Sequence, residues 1–200
     1  MATIVQPAAL PKRMTAEEYM NYPWGSTPWR DTPVELVHGE VRVAPMPAGA
    51  HAHIVVNIFR ALDAYVFARK IGRVYPDNTG YRLPNLDDTI RGPDVSFVAA
   101  GRLPDEIPLK GLFTIAPDFG VEVLSPSDTR AEVEEKLADF FAAGVQLVWL
   151  VDPRRRRIEA VLPDRTRRAF TEGDAADAAP VLPEFRMPVA EAFAGVAREA

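Results

Sequence analysis

The chain has 200 residues, 48% hydrophobic and 26% charged, with a net charge of −5; this is one domain's worth of chain, able to bury its own core, and its charge argues against a surface coated for indiscriminate nucleic-acid binding. With no cysteine and three histidines, disulfides, thiolate metal sites and cysteine nucleophiles are excluded, and any metal site is expected to be oxygen-rich. No run approaches the roughly 18 to 20 apolar residues that span a bilayer, and residues 1–11 lack the charged start and long apolar run of a targeting segment, so a cytoplasmic protein without a membrane partner is expected.

Thr15 and Glu18 form a capping-box pattern, which predicts a short helix from there that Pro23 and Pro28 end. Residues 34–44 read as a hairpin around His38-Gly39. Ile54, Ile58, Leu62, Tyr65 and Val66 are spaced as in a helix over 51–69, with Gly72 as its stop. Strands are predicted over 73–83, 93–99 and 119–124. Ser127 or Asp128 caps a second long helix that runs to about Ala143, with Gly144 at its end. Residues 145–151 form the most apolar strand, 158–162 and 167–171 a final hairpin, and 172–180 a loop. The stretch from Val181 onward ends in helix. The order of helix, three strands, helix and strand, with strands added at both ends, predicts an α/β class: a mixed sheet flanked by helices. One domain over 14–190 is expected, with an extension over 1–13 and a tail over 191–200.

Two acids stand out because they interrupt apolar strands. A buried carboxylate costs several kcal/mol unless a cation or hydrogen-bond donors meet it. In Pro93-Asp94-Val95-Ser96-Phe97-Val98, alternation puts Asp94 with Ser96 and Val98 on one face. In Val121-Glu122-Val123-Leu124, Glu122 shares a face with Leu124. If the two strands are neighbours, Asp94 and Glu122 converge, and a divalent cation relieves their repulsion. Hard oxygen ligands suit Mg²⁺, with Mn²⁺ as the alternative. On the second long helix, Val133, Leu137, Phe140 and Phe141 span an arc of roughly 100°, and Lys136 falls about 40° outside its edge. It is the lysine able to lean over the sheet towards Glu122. Glu132, Glu134, Glu135 and Asp139 are expected to point elsewhere. The competing readings are a turn cap for Asp94, a core-edge arginine partner for Glu122, and a snorkelling flank position for Lys136.

Further residues join these in a familiar pattern. Pro93-Asp94-Val95, the block from Pro117-Asp118-Phe119 through Glu122-Val123-Leu124-Ser125-Pro126-Ser127-Asp128, Lys136, Gly144-Val145 and Val148-Trp149-Leu150-Val151-Asp152-Pro153 resemble the Uma-type family (domain of unknown function 820), described as restriction-endonuclease-like. Glu35-Leu36-Val37-His38-Gly39-Glu40 and the Pro47–His51 lead-in fit the same family, and the resemblance covers roughly residues 14–190. It implies a PD-(D/E)XK core, a mixed central sheet flanked by helices with added N- and C-terminal hairpins. It also implies that Asp94 and Glu122 bind Mg²⁺ while a lysine positions or activates water. The usual lysine position, two residues after Glu122, holds Leu124, and Lys136 stands in for it from the helix. Glu35 is an additional acid at the same end of the sheet, or else an exposed hairpin residue. His51 is a phosphate contact, or else a polar helix-start residue.

The resemblance makes DNA the expected substrate, and a homodimer would suit double-strand cutting. Residues 151–168 carry seven arginines against three acids, and Arg154, Arg155, Arg156 and Arg157 are candidates for DNA-backbone contact; the alternative is a solvated turn and hairpin. The leading expectation is a Mg²⁺-dependent endonuclease that hydrolyses DNA phosphodiester bonds. The alternatives are a non-catalytic binding or assembly module on the same fold, and a nuclease acting on RNA. No Gly-x-Ser-x-Gly elbow supports a serine hydrolase.

Overall fold

The computed structural model describes residues 10–26, 34–43, 48–77, 79–107 and 111–198. Pro28, Ala44, Pro47 and residues 1–9 of the predicted extension lie outside the described residues. Thr15 accepts from the Glu18 N–H while Glu18 reaches back to the Thr15 N–H, and helix α1 (Ala16–Asn21) follows. His38 and Gly39 take φ values of 49° and 77°. Such paired positive values make the tight turn whose twist matches its strands, and they join β1 (Val34–Val37) to β2 (Glu40–Val43). With β4 (Tyr81–Arg82) and β5 (Ile90–Arg91) these strands form an antiparallel sheet in the order β2-β1-β5-β4.

The larger sheet contains β3 (Gly72–Pro76), β6 (Val95–Ala99), β7 (Phe119–Val123), β8 (Leu147–Asp152), β9 (Arg157–Val161) and β10 (Arg167–Thr171). Its order is β10-β9-β8-β7-β6-β3. Every neighbouring pair is antiparallel except β7 and β8. A parallel pair needs a crossover, and helix α3 (Arg130–Ala142) supplies it.

Alternation sorts the side chains to two faces. Val95, Phe97, Val121, Val123 and Trp149 pack with Ile54, Ile58 and Leu62 of helix α2 (Gly49–Arg69). Val98, Val148 and Leu150 pack on the other face with Leu137 and Phe140 of α3. This is the expected mixed sheet flanked by helices. A hairpin of β11 (Ala175–Ala178) and β12 (Leu182–Pro188), followed by α4 (Val189–Ala192), covers the α2 side. The core extends past residue 190, because Ala192 and Phe193 are buried in it. Among the described residues, no helix is long and apolar enough to cross a membrane.

Several boundaries differ from the sequence reading. The cap of α2 is Lys70, in the left-handed region at φ 55°, rather than Gly72. Gly72 instead opens β3, where a β-carbon would lie 2.2 Å from the Val98 carbonyl oxygen and 2.6 Å from the Phe97 ring. The strand predicted over 73–83 is two, because β3 stops at Pro76 and Tyr81–Arg82 joins the other sheet. Thr129, in a capping box with Glu132, starts α3, while Asp128 accepts from the Ser125 N–H in the preceding turn. The predicted loop over 172–180 contains β11, and its Ala176, Asp177 and Ala178 are buried. Small residues without period carry no local strand signal, and tertiary packing decides there.

Replacing Gly72 with alanine forces the β-carbon into the backbone of β6. The expected loss is about 1–3 kcal/mol, the usual cost of overpacking. Urea denaturation measures it, and an unchanged midpoint would contradict the close packing of β3 on β6.

Candidate active site

Asp94 lies one residue before β6, and the register Val95↔Val121 sets it opposite Glu122 on β7. Its Oδ2 accepts from the Val123 N–H at 2.6 Å, so a side chain continues the β6–β7 ladder where the strand's own backbone has ended. From the first turn of α2, His51 Nε2 lies 3.3 Å from the same oxygen. That contact raises the His51 pKa against the opposing pull of burial.

Glu122 is 9% exposed and faces α3 from the middle of the sheet. Lys136 Nζ donates to its Oε2 at 2.9 Å and lies 3.8 Å from Oε1 of Glu35. The capping box at Thr129 fixes the start of α3, and Leu137 and Phe140 seat the helix on the sheet. Lys136, at the edge of that apolar face, therefore leans over β7. Glu35 comes from the smaller sheet. Arg91 Nη1 and the Gly92 N–H each donate to it at 3.1 Å.

The structure thus gathers Asp94, Glu122, Lys136, Glu35 and His51 at one end of the larger sheet. It also adds residues that the sequence reading missed. Arg91 is 3% exposed. Its Nε and Nη2 donate to Asp139 Oδ2 at 3.0 and 2.6 Å, and Nη2 lies 3.5 Å from Glu135. Asp139 and Glu135 therefore do not point away, and Asp139 is buried. The helix period locates only the stripe that meets the larger sheet; the flank with Asp139 is covered by the second sheet. The available signal was Arg91 itself, a guanidinium beside the apolar Ile90, which needs an acid when buried. His38 Nε2 lies 3.1 Å from Asp139.

The arginines of the β8–β9 turn are already paired. Arg155 meets Asp152 at 3.2 Å, Arg156 meets Glu172 at 2.8 Å, and Arg157 meets Glu159 at 3.0 Å. Farther on, Arg167 bonds Glu134 and Glu159, and Arg168 bonds Asp177. The local positive balance is thus largely neutralised. Arg155, with 74% of its side chain exposed, is the freest of the three. The turn follows the C-terminal end of β8, the same end of the sheet as Glu122.

Around Lys136 the negative charge is in excess. Burial is the main cause that pushes the Glu122 pKa up, to about 8, and the charges of Asp94 and Glu35 add to it. Burial alone would lower the Lys136 pKa, but Glu122 and Glu35 outweigh it and hold the proton on the amine. Glu35, despite burial, is lowered by Lys136 and Arg91. Glu122 Oε1 is buried without a hydrogen-bond partner. A cavity of about 300 Å³ opens beside these groups, with Leu124 and Val133 in its wall.

The mixed sheet flanked by helices is the fold of a solved putative nuclease. The chain belongs to the Uma2 family, whose model, described as "Putative restriction endonuclease", matches residues 16–190. It is also similar to a solved structure described as a putative nuclease belonging to DUF820 from Anabaena variabilis. That likeness has 25% identity and a TM-score of 0.76, and it covers 90% of this chain and 97% of the other. No curated protein matches the chain.

The raised pKa of Glu122 has a sign that stability measurements can read. Between its ordinary value of 4.5 and about 8, the folded protein holds a proton that the unfolded chain has released, so this group makes stability fall as pH rises. Without added metal, Glu122→Gln should gain stability relative to the parent between pH 5 and pH 8.5, on the order of a few kcal/mol. Urea midpoints at the two pH values check this, and a parent and variant that stay parallel would contradict it.

Proposed function

We propose that this protein is a Mg²⁺-dependent endonuclease that hydrolyses DNA phosphodiester bonds. The observation that carries this reading is the adjacency of Asp94 and Glu122 across paired strands, with the Lys136 amine 2.9 Å from Glu122. Asp94 and Glu122 would hold the cation. The unpartnered buried Oε1 of Glu122 and the surplus of carboxylates over the ammonium fit that role. Among the described residues no group of three or more His, Asp or Glu is placed to cage a metal. Mg²⁺ does not need one, since it keeps several waters and is commonly held by one or two carboxylates. When bound, the cation supplies neutralisation of the phosphate and a lowered pKa for a coordinated water.

The protein's own groups do the rest. Lys136 keeps its proton, so it acts as a donor that orients the attacking water and offsets charge gathering on the phosphate, rather than as a base. The Val123 N–H and His51 fix the carboxylate of Asp94 from two sides. Glu35 shares the ammonium with Glu122 and keeps it over the strand. Arg155, exposed on its turn at this end of the sheet, would meet a flanking phosphate after releasing Asp152.

Purified protein should nick or linearise plasmid DNA with Mg²⁺ or Mn²⁺ and not with EDTA. Asp94→Ala and Glu122→Ala should each abolish cutting and also remove the heat of Mg²⁺ binding in calorimetry. Lys136→Ala should lower kcat roughly 100- to 1,000-fold, as expected for a lost electrostatic contact in the transition state. Undiminished cutting by either acid variant would refute the assignment. An intact fold with neither metal binding nor cleavage would favour a binding module, and cleavage confined to RNA would reassign the substrate.

A further inference from the structure

We infer that Arg91 is a positioning residue of the active site, acting through Glu35 on Lys136. The inference rests on the nuclease reading for its catalytic consequence, but its geometry stands alone. Lys136 is held between two carboxylates, with Glu122 Oε2 at 2.9 Å and Glu35 Oε1 at 3.8 Å. Glu122 is fixed by its strand in the middle of the larger sheet. Glu35 lies on a different sheet, and among the described residues no strand pairing joins that sheet to the larger one. Something must therefore fix Glu35 relative to α3, which carries Lys136.

Arg91 does this with one planar group. Nη1 donates to Glu35 at 3.1 Å, while Nε and Nη2 donate to Asp139 at 3.0 and 2.6 Å. Asp139 lies on α3, three residues after Lys136 and hence on a neighbouring part of the same helix surface. The guanidinium is thus a ruler between the strand that bears Glu35 and the helix that bears Lys136. Its neighbour Gly92 donates from its N–H to Glu35 Oε1 at 3.1 Å, which orients the oxygen that faces the amine. Glu135 and His38 add outer contacts at 3.5 Å to Arg91 and 3.1 Å to Asp139. Arginine suits this place because its fork serves two carboxylates in fixed directions, whereas an ammonium is a point charge. Arg91 itself is buried at 3% exposure, so its part in the reaction is to hold other groups.

Arg91→Ala would strand buried acids and is a poor test, because unpaired buried charges unfold proteins. The informative variant is the pair Arg91→Met with Asp139→Leu, which exchanges the more buried ion pair for apolar groups and leaves only the partly exposed Glu35 without its arginine. Two readouts decide. In steady-state cleavage with saturating Mg²⁺, the double variant should lose roughly 10- to 100-fold in kcat, the usual effect of removing a group that orients a catalytic one, with KM for DNA unchanged. In ¹⁵N-lysine spectra, where the chain has four lysines, the Lys136 ammonium signal should shift or broaden in the double variant as it does in Glu35→Gln. Arg91→Lys, which keeps the charge and loses the fork, should show both effects in milder form and serves as the test if the double variant does not fold. Unchanged kcat in folded Arg91→Met/Asp139→Leu, full activity in Arg91→Lys, or a Lys136 signal indifferent to Arg91 would each overturn the inference. If the parent protein cleaves nothing, the nuclease reading fails, and the ammonium signal alone decides the positioning role.

Discussion

The contact of Glu122 with Lys136 bridges the central strand and the crossover helix. A carboxylate near the end of a central strand, under a helix, has lost most of its water, and that loss costs several kcal/mol without a partner. The partner cannot come from the sheet, because the flanking positions Val121 and Val123 face the opposite core and Leu124 is apolar. It comes from the helix. The parallel pairing of β7 and β8 forces a crossover between them, and the crossover is α3. The topology that demands this helix therefore also delivers the cation to the buried acid.

Charge balance then spreads outward. One ammonium does not neutralise Glu122, Glu35 and Asp94 together, and each surplus carboxylate finds a different answer. Asp94 takes a backbone N–H and His51. Glu35 takes Arg91 and a backbone N–H. Glu122 keeps a bare oxygen. The smaller sheet absorbs the remaining charge through Arg91.

Much of this was legible in the sequence, for reasons that differ by residue. Asp94 and Glu122 were conspicuous because acids in apolar runs violate the pattern around them, although Asp94 sits just before its strand rather than inside it. Lys136 followed from helix angles, since its flank position depends only on its own helix. The capping box at Thr15 and the His38-Gly39 turn are local chemistry, and they were read correctly. What stayed hidden depends on docking. Asp139 lies away from the stripe that meets the larger sheet, and nothing in α3 announces a second sheet on that side. The strand at 175–178 is made of alanines and an acid, so only the surrounding core gives it a place. Lys70 as a helix cap and Gly72 as a packing glycine were exchanged because both solutions end a helix, and the close approach of β6 is invisible in sequence.

The site draws its groups from two sheets whose apolar packing differs in extent. Asp94, Glu122 and Lys136 rest on the two large clusters that sandwich the six-stranded sheet, while Glu35 and Arg91 rest on a small one of Met14, Ala16, Leu36 and Ile90. The smaller sheet is also tied to the larger layer by Tyr81, buried under α3 and bonded to Ser96, and by Arg91 on Asp139, so a local opening of β1 and β5 has to break those contacts but not the main sheet. Such an opening would release Glu35 and Arg91 together, leaving Asp94 and Glu122 in place with Lys136 tethered on one side only. The pairing of Lys136 with Glu35 would then follow the fluctuations of the smaller sheet, and amide exchange in β1 and β5 would report it while the main sheet stayed closed.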